Sequence, residues 1–445
     1  MYFGDETFTF EVDRFGNTLS TSVNGLALST NTYGANNGPL QQVTYANGDI
    51  RTNTYNWLGE LSAIGNGTST QYTWQYDDNG TQIGFTDLVA ARKFLYTRDS
   101  LNRLVRQQIL STTDGSVIGM TEQDYDIRNN ITRLVSNYGG HTYTQRYVYD
   151  AIAGQPETED YAKDNLPVRY LFASARYADY DYDGLNRLTQ RTFTTTRNLI
   201  NNYSYYDSVL GTVDGVTYQT TKLHTEIVDN TAYRYTYDLS GNIIKIEKGT
   251  RVGTTNTADN FTDYFSYEYD ALGQLTRVNS VPEGTTTVYY YDPWGNVYLK
   301  YCFPYTEPSD TLMNPYSVTS YGYGTDSDAG WSRILSTVTY RTYDGTVEET
   351  ATVDYDAVGN PLSYLGATLT WQNGRQLATY TKGDTSVSYT YDSDGLRTGK
   401  TVNGAKSEYL YLNGLLSEEI RDGHRIHYSY DSYGHLAAIQ DLLLQ

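Results

Sequence analysis

The chain has 445 residues, with 48 Tyr against 11 Phe and 39 Gly against 9 Pro, so its apolar bulk is mostly phenol and it is rich in turn residues. The formal net charge is -20 and none of the 32 Lys and Arg form a run, which excludes a phosphate backbone as the expected partner, because nucleic-acid binding needs a basic stripe. A lone cysteine, Cys302, excludes an internal disulfide framework, no zinc-type Cys/His spacing occurs, and no stretch approaches the roughly 20 apolar residues of a membrane span.

Taken in chain order, the predicted elements are one sentence written many times. The segment "MYFGDETFTF" has neither the basic nor the apolar region of an export signal, so such a signal is expected outside these residues. At Phe10 comes "FEVDRFGNTL", at Trp74 "WQYDDNGTQI", at Tyr96 "YTRDSLNRL" and at Tyr125, within "DYDIRNNITRL", the next copy. Between them "TDLVAARKF", near residue 90, predicts at best two helical turns. "YVYDAIAG" at Tyr147 and "YDYDGLNRL" at Tyr180 follow. The cleanest copies carry Tyr235, Tyr237, Asp238 and Gly241; then Tyr267, Tyr269, Asp270 and Gly273; then Tyr289, Tyr291, Asp292 and Gly295. After "VDYDAVGNPL" at Val353 come Tyr389, Tyr391, Asp392 and Gly395, and finally Tyr428, Tyr430, Asp431 and Gly434. Two segments break the rhythm and predict surface loops: residues 153–167, and residues 301–330 with Pro304, Pro308 and Pro315.

The consensus Y-x-Y-D-x-x-G-N-x-L has a direct physical reading as strand, turn and strand. Strand side chains alternate, so both tyrosines face one way and the aspartate the other. The aspartate can bond turn amides two residues on, while Gly, or Asn in "YTRDSLNRL" and "YDYDGLNRL", supplies the positive φ that closes a hairpin. One such unit cannot bury its tyrosine face alone, so the units are expected to stack. The fold class is therefore all-β, an array of antiparallel hairpins over residues 1–445.

These motifs, above all "YTYDSDGLRTGK" at 389–400 and "LTWQNGRQLATY" at 369–380, resemble the tyrosine-aspartate (YD) repeat array of the Rhs family. That family includes wall-associated bacterial polymorphic toxins, the C components of insecticidal toxin complexes and the teneurins. The resemblance implies one long spiralling sheet forming a hollow shell, here partial, with an enclosed toxin or effector segment as partner and a secreted or cell-surface location. Toxin-releasing members carry a core motif, R-Y-Y-D-P-x-x-G-R-F with a second D-P, which serves as plug and aspartate-driven self-cleavage site. "YYYDPWGNVYLKY" at 289–301 imitates its first half but lacks the Arg-Phe and the second Asp-Pro, so Asp292 reads as an ordinary corner, and both core and toxin are expected outside this chain.

No serine-nucleophile elbow is present, and His141, His224, His424, His427 and His435 are scattered over the repeats. In "HRIH" a strand turns the two imidazoles to opposite sides, which argues against a shared metal. "DYDYDGLN" offers Asp179, Asp181 and Asp183 as a calcium-loop opening, but position twelve is Gln190 rather than the required bidentate Glu, and Asp183 fits the corner slot. No catalytic residue, cofactor or metal is therefore assigned. The expected function is a non-catalytic shell scaffold; the alternative is a module that binds glycans or a cell-surface partner, since rows of tyrosine with Asn, Asp and Gln suit sugar rings.

Overall fold

The computed structural model describes residues 2–3, 6–149, 166–173, 176–194, 199–205, 209–213, 216–219, 221–326, 331–342 and 346–443. Among them every regular element is a strand and none is a helix. The chain divides into two compact units: Met1–Arg146 with Tyr323–Thr337 and Ala351–Gln445, and Tyr147–Gly322 with Val338–Thr350.

In the first unit each strand pairs antiparallel with its sequence neighbours, from Glu6–Val12 on to the hairpin of Ile131–Tyr138 with residues 141–146. The same unit holds a nine-stranded meander running from Ser363–Tyr364 to Leu436–Leu443. In the second unit a similar meander starts at Arg169–Ala173, and Leu199–Tyr205 pairs with Leu223–Val228 across an inserted hairpin of Val209–Val213 and Val216–Gln219.

The corner chemistry is the same at each repeat. At residues 236–243 the register runs from Thr236↔Lys245 to Tyr237↔Ile243, a jump of one residue that marks a bulge. Gly241 N–H donates to the Asp238 carbonyl at 3.1 Å, Asp238 N–H donates to the Asn242 carbonyl at 2.9 Å, and Gly241 sits at φ 87°, where an L side chain is strained. Asp238 Oδ1 accepts the Asn242 amide at 2.8 Å while Oδ2 accepts Asn242 Nδ2 at 2.9 Å. Asp270, Asp292, Asp392 and Asp431 likewise accept amides two and four residues on. Where Asn replaces Gly, Asn102 and Asn186 take φ 63° and 61°.

The second tyrosine of each motif has a task that alternation does not reveal. Tyr237 Oη donates to the Leu223 carbonyl at 2.8 Å, Tyr269 to Ile243 at 2.9 Å, Tyr291 to Leu275 at 2.7 Å and Tyr391 to Leu377 at 2.9 Å. Each acceptor lies at the start of the preceding strand, so the hydroxyl ties one corner to the strand before it. Tyr237→Phe should lose about 1 kcal/mol, the net value of one such bond. Gly241→Val should lose about 2 kcal/mol because a branched side chain is forced to positive φ. Urea unfolding of both variants checks this order, and equal stability of Gly241→Val and wild type would sink the turn assignment.

Two expectations are corrected. Residues 86–94 hold no helical turn: strand Gln82–Asp87 turns at residues 88–91 into strand Arg92–Arg98. Asp87 Oδ1 accepts Val89 and Ala90 N–H at 2.9 and 2.8 Å, and Ala91 stands at φ 56°, so the local bonds close a hairpin rather than propagate a helix. Of the loop expected at 301–330, residues 301–304 and 317–326 belong to the strands Val297–Pro304 and Ser317–Asp326, residues 305–316 run between them as a loop, and residues 327–330 lie outside the described residues. Arg277, 8% exposed, holds that loop by donating to the Thr306, Glu307 and Pro308 carbonyls at 2.9, 2.9 and 3.2 Å. Of the loop expected at 153–167, residues 153–165 lie outside the described residues.

Candidate functional site

The first unit brings its two strand runs together along a seam that is largely polar. Gly374 N–H donates to Asp49 Oδ2 at 2.8 Å, and Asn47 Nδ2 donates to Asp356 Oδ2 at 3.1 Å. Tyr72 Oη donates to the Tyr391 carbonyl at 2.7 Å, and Arg92 Nη1 to the Tyr409 carbonyl at 2.6 Å. Deeper in, the fully buried Glu418 accepts His427 Nδ1–H at 2.5 Å, with Arg425 Nη1 3.6 Å from its other oxygen, and Tyr143 stacks on the His427 ring at 3.7 Å. Beside this cluster Ile109, Tyr138 and Leu410 form a small apolar core with Phe94 packed against it.

Between the two runs the seam opens into a cleft of about 450 Å³. One wall is a row of rings in cross-strand register, Trp74↔Phe85↔Phe94, with centroids 5.2 and 5.7 Å apart. In a neighbouring row Asp87 stands opposite Arg92. The facing wall is the corner at 392–396 together with Tyr409 and Tyr411. Burial pushes the Asp87 carboxyl up to about 6, against the opposing pull of its hydrogen bonds from Ala90 and Val89 and of the Arg92 charge. Asp392 is raised too, again mainly by burial.

Raised and lowered carboxylates make opposite contributions with pH. At Asp238 burial opposes ionisation, but the Asn242 side-chain and amide bonds outweigh it and hold the group below the usual carboxylate value. Its contribution to stability is present above the unfolded value and disappears as pH falls through the folded one. Asp87 is the reverse: ionising it in the folded protein is unfavourable, so stability falls as pH rises from the unfolded value through about 6. Asp87→Asn, which keeps an oxygen for the two amides, should therefore be more stable than wild type by about 2 to 3 kcal/mol at pH 8 and gain little at pH 4. Thermal melts across that range check the sign.

The other residues singled out in the sequence lie apart from this cleft or serve packing. Tyr235 Oη reaches Glu226 at 3.4 Å, Tyr428 donates to Glu419 at 2.7 Å, Tyr267 stacks on Phe265 and Tyr389 lies under Arg397. Tyr430 is half-buried. Asp179 is bonded to Arg169 at 2.5 and 2.8 Å, Asp183 is a corner paired with Arg187 at 2.7 Å, and Asp181 borders a separate polar hollow with Gln190 and Asn202. The described residues contain no group of three His, Cys, Asp or Glu able to hold a metal. His424 bonds the exposed Asp441 while His427 is buried, so the two imidazoles of "HRIH" do face apart. Sequence reasoning missed the cleft because Asp87, Arg92 and Phe94 all come from the segment expected to be helical. Strict alternation of Phe85, Asp87 and then Arg92, Phe94 was the available signal.

The fold defines an all-β protein built of YD hairpins, and residues 269–300, which contain the corners at Asp270 and Asp292, match the family described as RHS Repeat. The chain thus carries an RHS repeat. No curated protein sequence matches it. Among solved structures it is similar to the TcdB2-TccC3-TEV protein, at 12% identity and TM-score 0.46, over 96% of this chain and 27% of that one. It is also similar to TcdB2-TccC3, at 13% identity and TM-score 0.41, over 99% of this chain and 28% of that one. A porin-like protein from Bacteroides uniformis ATCC 8492 matches at 12% identity and TM-score 0.23, over 49% of this chain and 89% of that one. The chain spans about a quarter of the length of these TcdB2-TccC3 chains.

Proposed function

We propose that this chain is a non-catalytic wall of an Rhs-type protein, secreted or held at a cell surface, whose repeats surround or present a toxin segment encoded outside these residues. The observation that carries the reading is the recurrent corner, in which an aspartate, a positive-φ residue and a tyrosine hydroxyl tie each hairpin to the one before it. Such a device builds extended walls by repetition and commits few side chains to chemistry. The RHS repeat at residues 269–300 supports the same assignment. Asp292 supports the absence of self-cleavage, since its carboxylate is spent on the Trp294 and Asn296 amides and on Asn296 Nδ2, as that of Asp238 is on the Asn242 amide and Nδ2.

The test begins with the open reading frame on both sides of the gene. The full-length product is then treated with protease, and a variable segment inside the wall should survive while the same segment expressed alone is degraded. Equal degradation would overturn enclosure. Intact-mass measurement on the present chain should give one species near 50.3 kDa, and two fragments summing to that mass would overturn the non-catalytic reading.

A further inference from the structure

The cleft of the first unit holds carboxylate oxygens that no side-chain donor fills. Asp87 spends Oδ1 on the Val89 and Ala90 amides, and Asp392 spends Oδ1 on the Asp394 and Leu396 amides. At several other corners the second carboxylate oxygen is filled by the side chain four residues on, as by Asn242, Asn296 or Arg187. At Asp392 that position is Leu396, which has nothing to donate. Among the described residues no side-chain donor reaches Oδ2 of Asp392 or of Asp87. Gln107, 8% exposed and lining the same cleft, makes no protein hydrogen bond there either.

The charge balance points the same way. Asp87, Asp392 and Asp394 line the cleft, and the one cation among its lining residues is Arg92. That guanidinium is already committed to the Tyr409 carbonyl at 2.6 Å and lies 3.9 Å from Glu408. An occupant that fits must donate hydrogen bonds, bring positive charge and lay a flat or apolar surface on the Trp74, Phe85 and Phe94 rings. A neutral sugar meets the third requirement and leaves the carboxylates without a counter-charge.

We infer that this cleft is a binding site for an organic cation of the guanidinium class, its N–H groups donating to Asp87 and Asp392 and its flat face lying against the Trp74–Phe85–Phe94 row. The cation could be a free small molecule or an arginine side chain of a polypeptide, and the chemistry of recognition is shared. The inference is independent of whether the wall encloses a toxin.

Calorimetric titration of the intact chain with agmatine and with the peptide acetyl-Gly-Arg-Gly-amide, and with maltose as the neutral probe, tests it. Saturable binding of agmatine assigns a free cation, and binding of the peptide alone assigns a polypeptide-borne one. In either case added salt should weaken binding, and Asp392→Asn should weaken it about tenfold. That substitution keeps the oxygen that accepts the turn amides and removes a carboxyl that burial disfavours, so the corner should stay intact and the melting temperature should not fall. The salt dependence and the maltose arm use the unaltered protein and do not rely on any variant folding. The inference is overturned if maltose binds while both cations do not, if none of the three binds, or if cation binding is indifferent to salt and to Asp392→Asn.

Discussion

Glu418→Leu is expected to cost the protein about 3 to 5 kcal/mol, because it takes the buried carboxylate away from the two buried basic side chains it contacts. Glu418 is fully buried and stands in register opposite His427, whose Nδ1–H it accepts at 2.5 Å. Arg425, 7% exposed, approaches its other oxygen at 3.6 Å, and its guanidinium rests on Gly139 of the facing strand run. With Leu at 418 the guanidinium keeps its charge, loses its partner and cannot reach water. Arg425→Met should do comparable damage by stranding the carboxylate instead. The double variant Glu418→Leu with Arg425→Met should lose much less than the sum, since replacing both members of a buried pair by apolar groups of similar size is often close to neutral. Urea unfolding of the four proteins completes the cycle. Additive losses would mean that the two side chains act separately and that the seam is not held by their pairing.

The second large effect is expected at Gly119→Ala. Gly119 pairs with Tyr138 across the sheet, and the tyrosine ring lies over it so closely that an added Cβ would clash with Tyr138 Cδ1 and Cε1. Tyr138 is fully buried against Ile109 and Leu410, so the ring cannot move aside without opening the small apolar core. A loss of about 3 kcal/mol is expected, as for an overpacked core position. Gly16→Ala is the control: its φ is 88° and a Cβ there meets nothing within 4 Å, so only backbone strain of about 1 kcal/mol remains. If the two substitutions cost the same in denaturant melts, backbone conformation rather than the Tyr138 ring explains Gly119.

The corner was legible because each bond that closes it joins residues at most four apart. Asp238, Gly241 and Asn242 lie within five positions, so their pattern can be read without knowing where the strands go. The tyrosine tie was half legible: the need for a partner follows from a phenol, but the partner of Tyr269 is the carbonyl of Ile243, 26 residues earlier. The segment at 86–94 was misread because its short apolar run suits either a helix or a hairpin, and the deciding facts are the Asp87 bonds and the pairing of Phe85 with Phe94. The loop at 301–330 was overestimated because its prolines were read as excluding strand on both sides, whereas Pro304 ends one strand and Pro308 and Pro315 lie between strands.

By itself the sequence determined that this chain is all-β, that it turns by a repeated aspartate corner, and that it carries the signature of an RHS repeat. Only the tertiary structure decided that Tyr72 meets Tyr391, that Arg92 meets Tyr409, and that Glu418, His427 and Arg425 share one buried site against Tyr143. The reason is separation along the chain. A corner is stabilised by neighbours whose spacing is written in the motif, while the cleft and its seam depend on strands more than 300 residues apart, whose meeting no local spacing encodes.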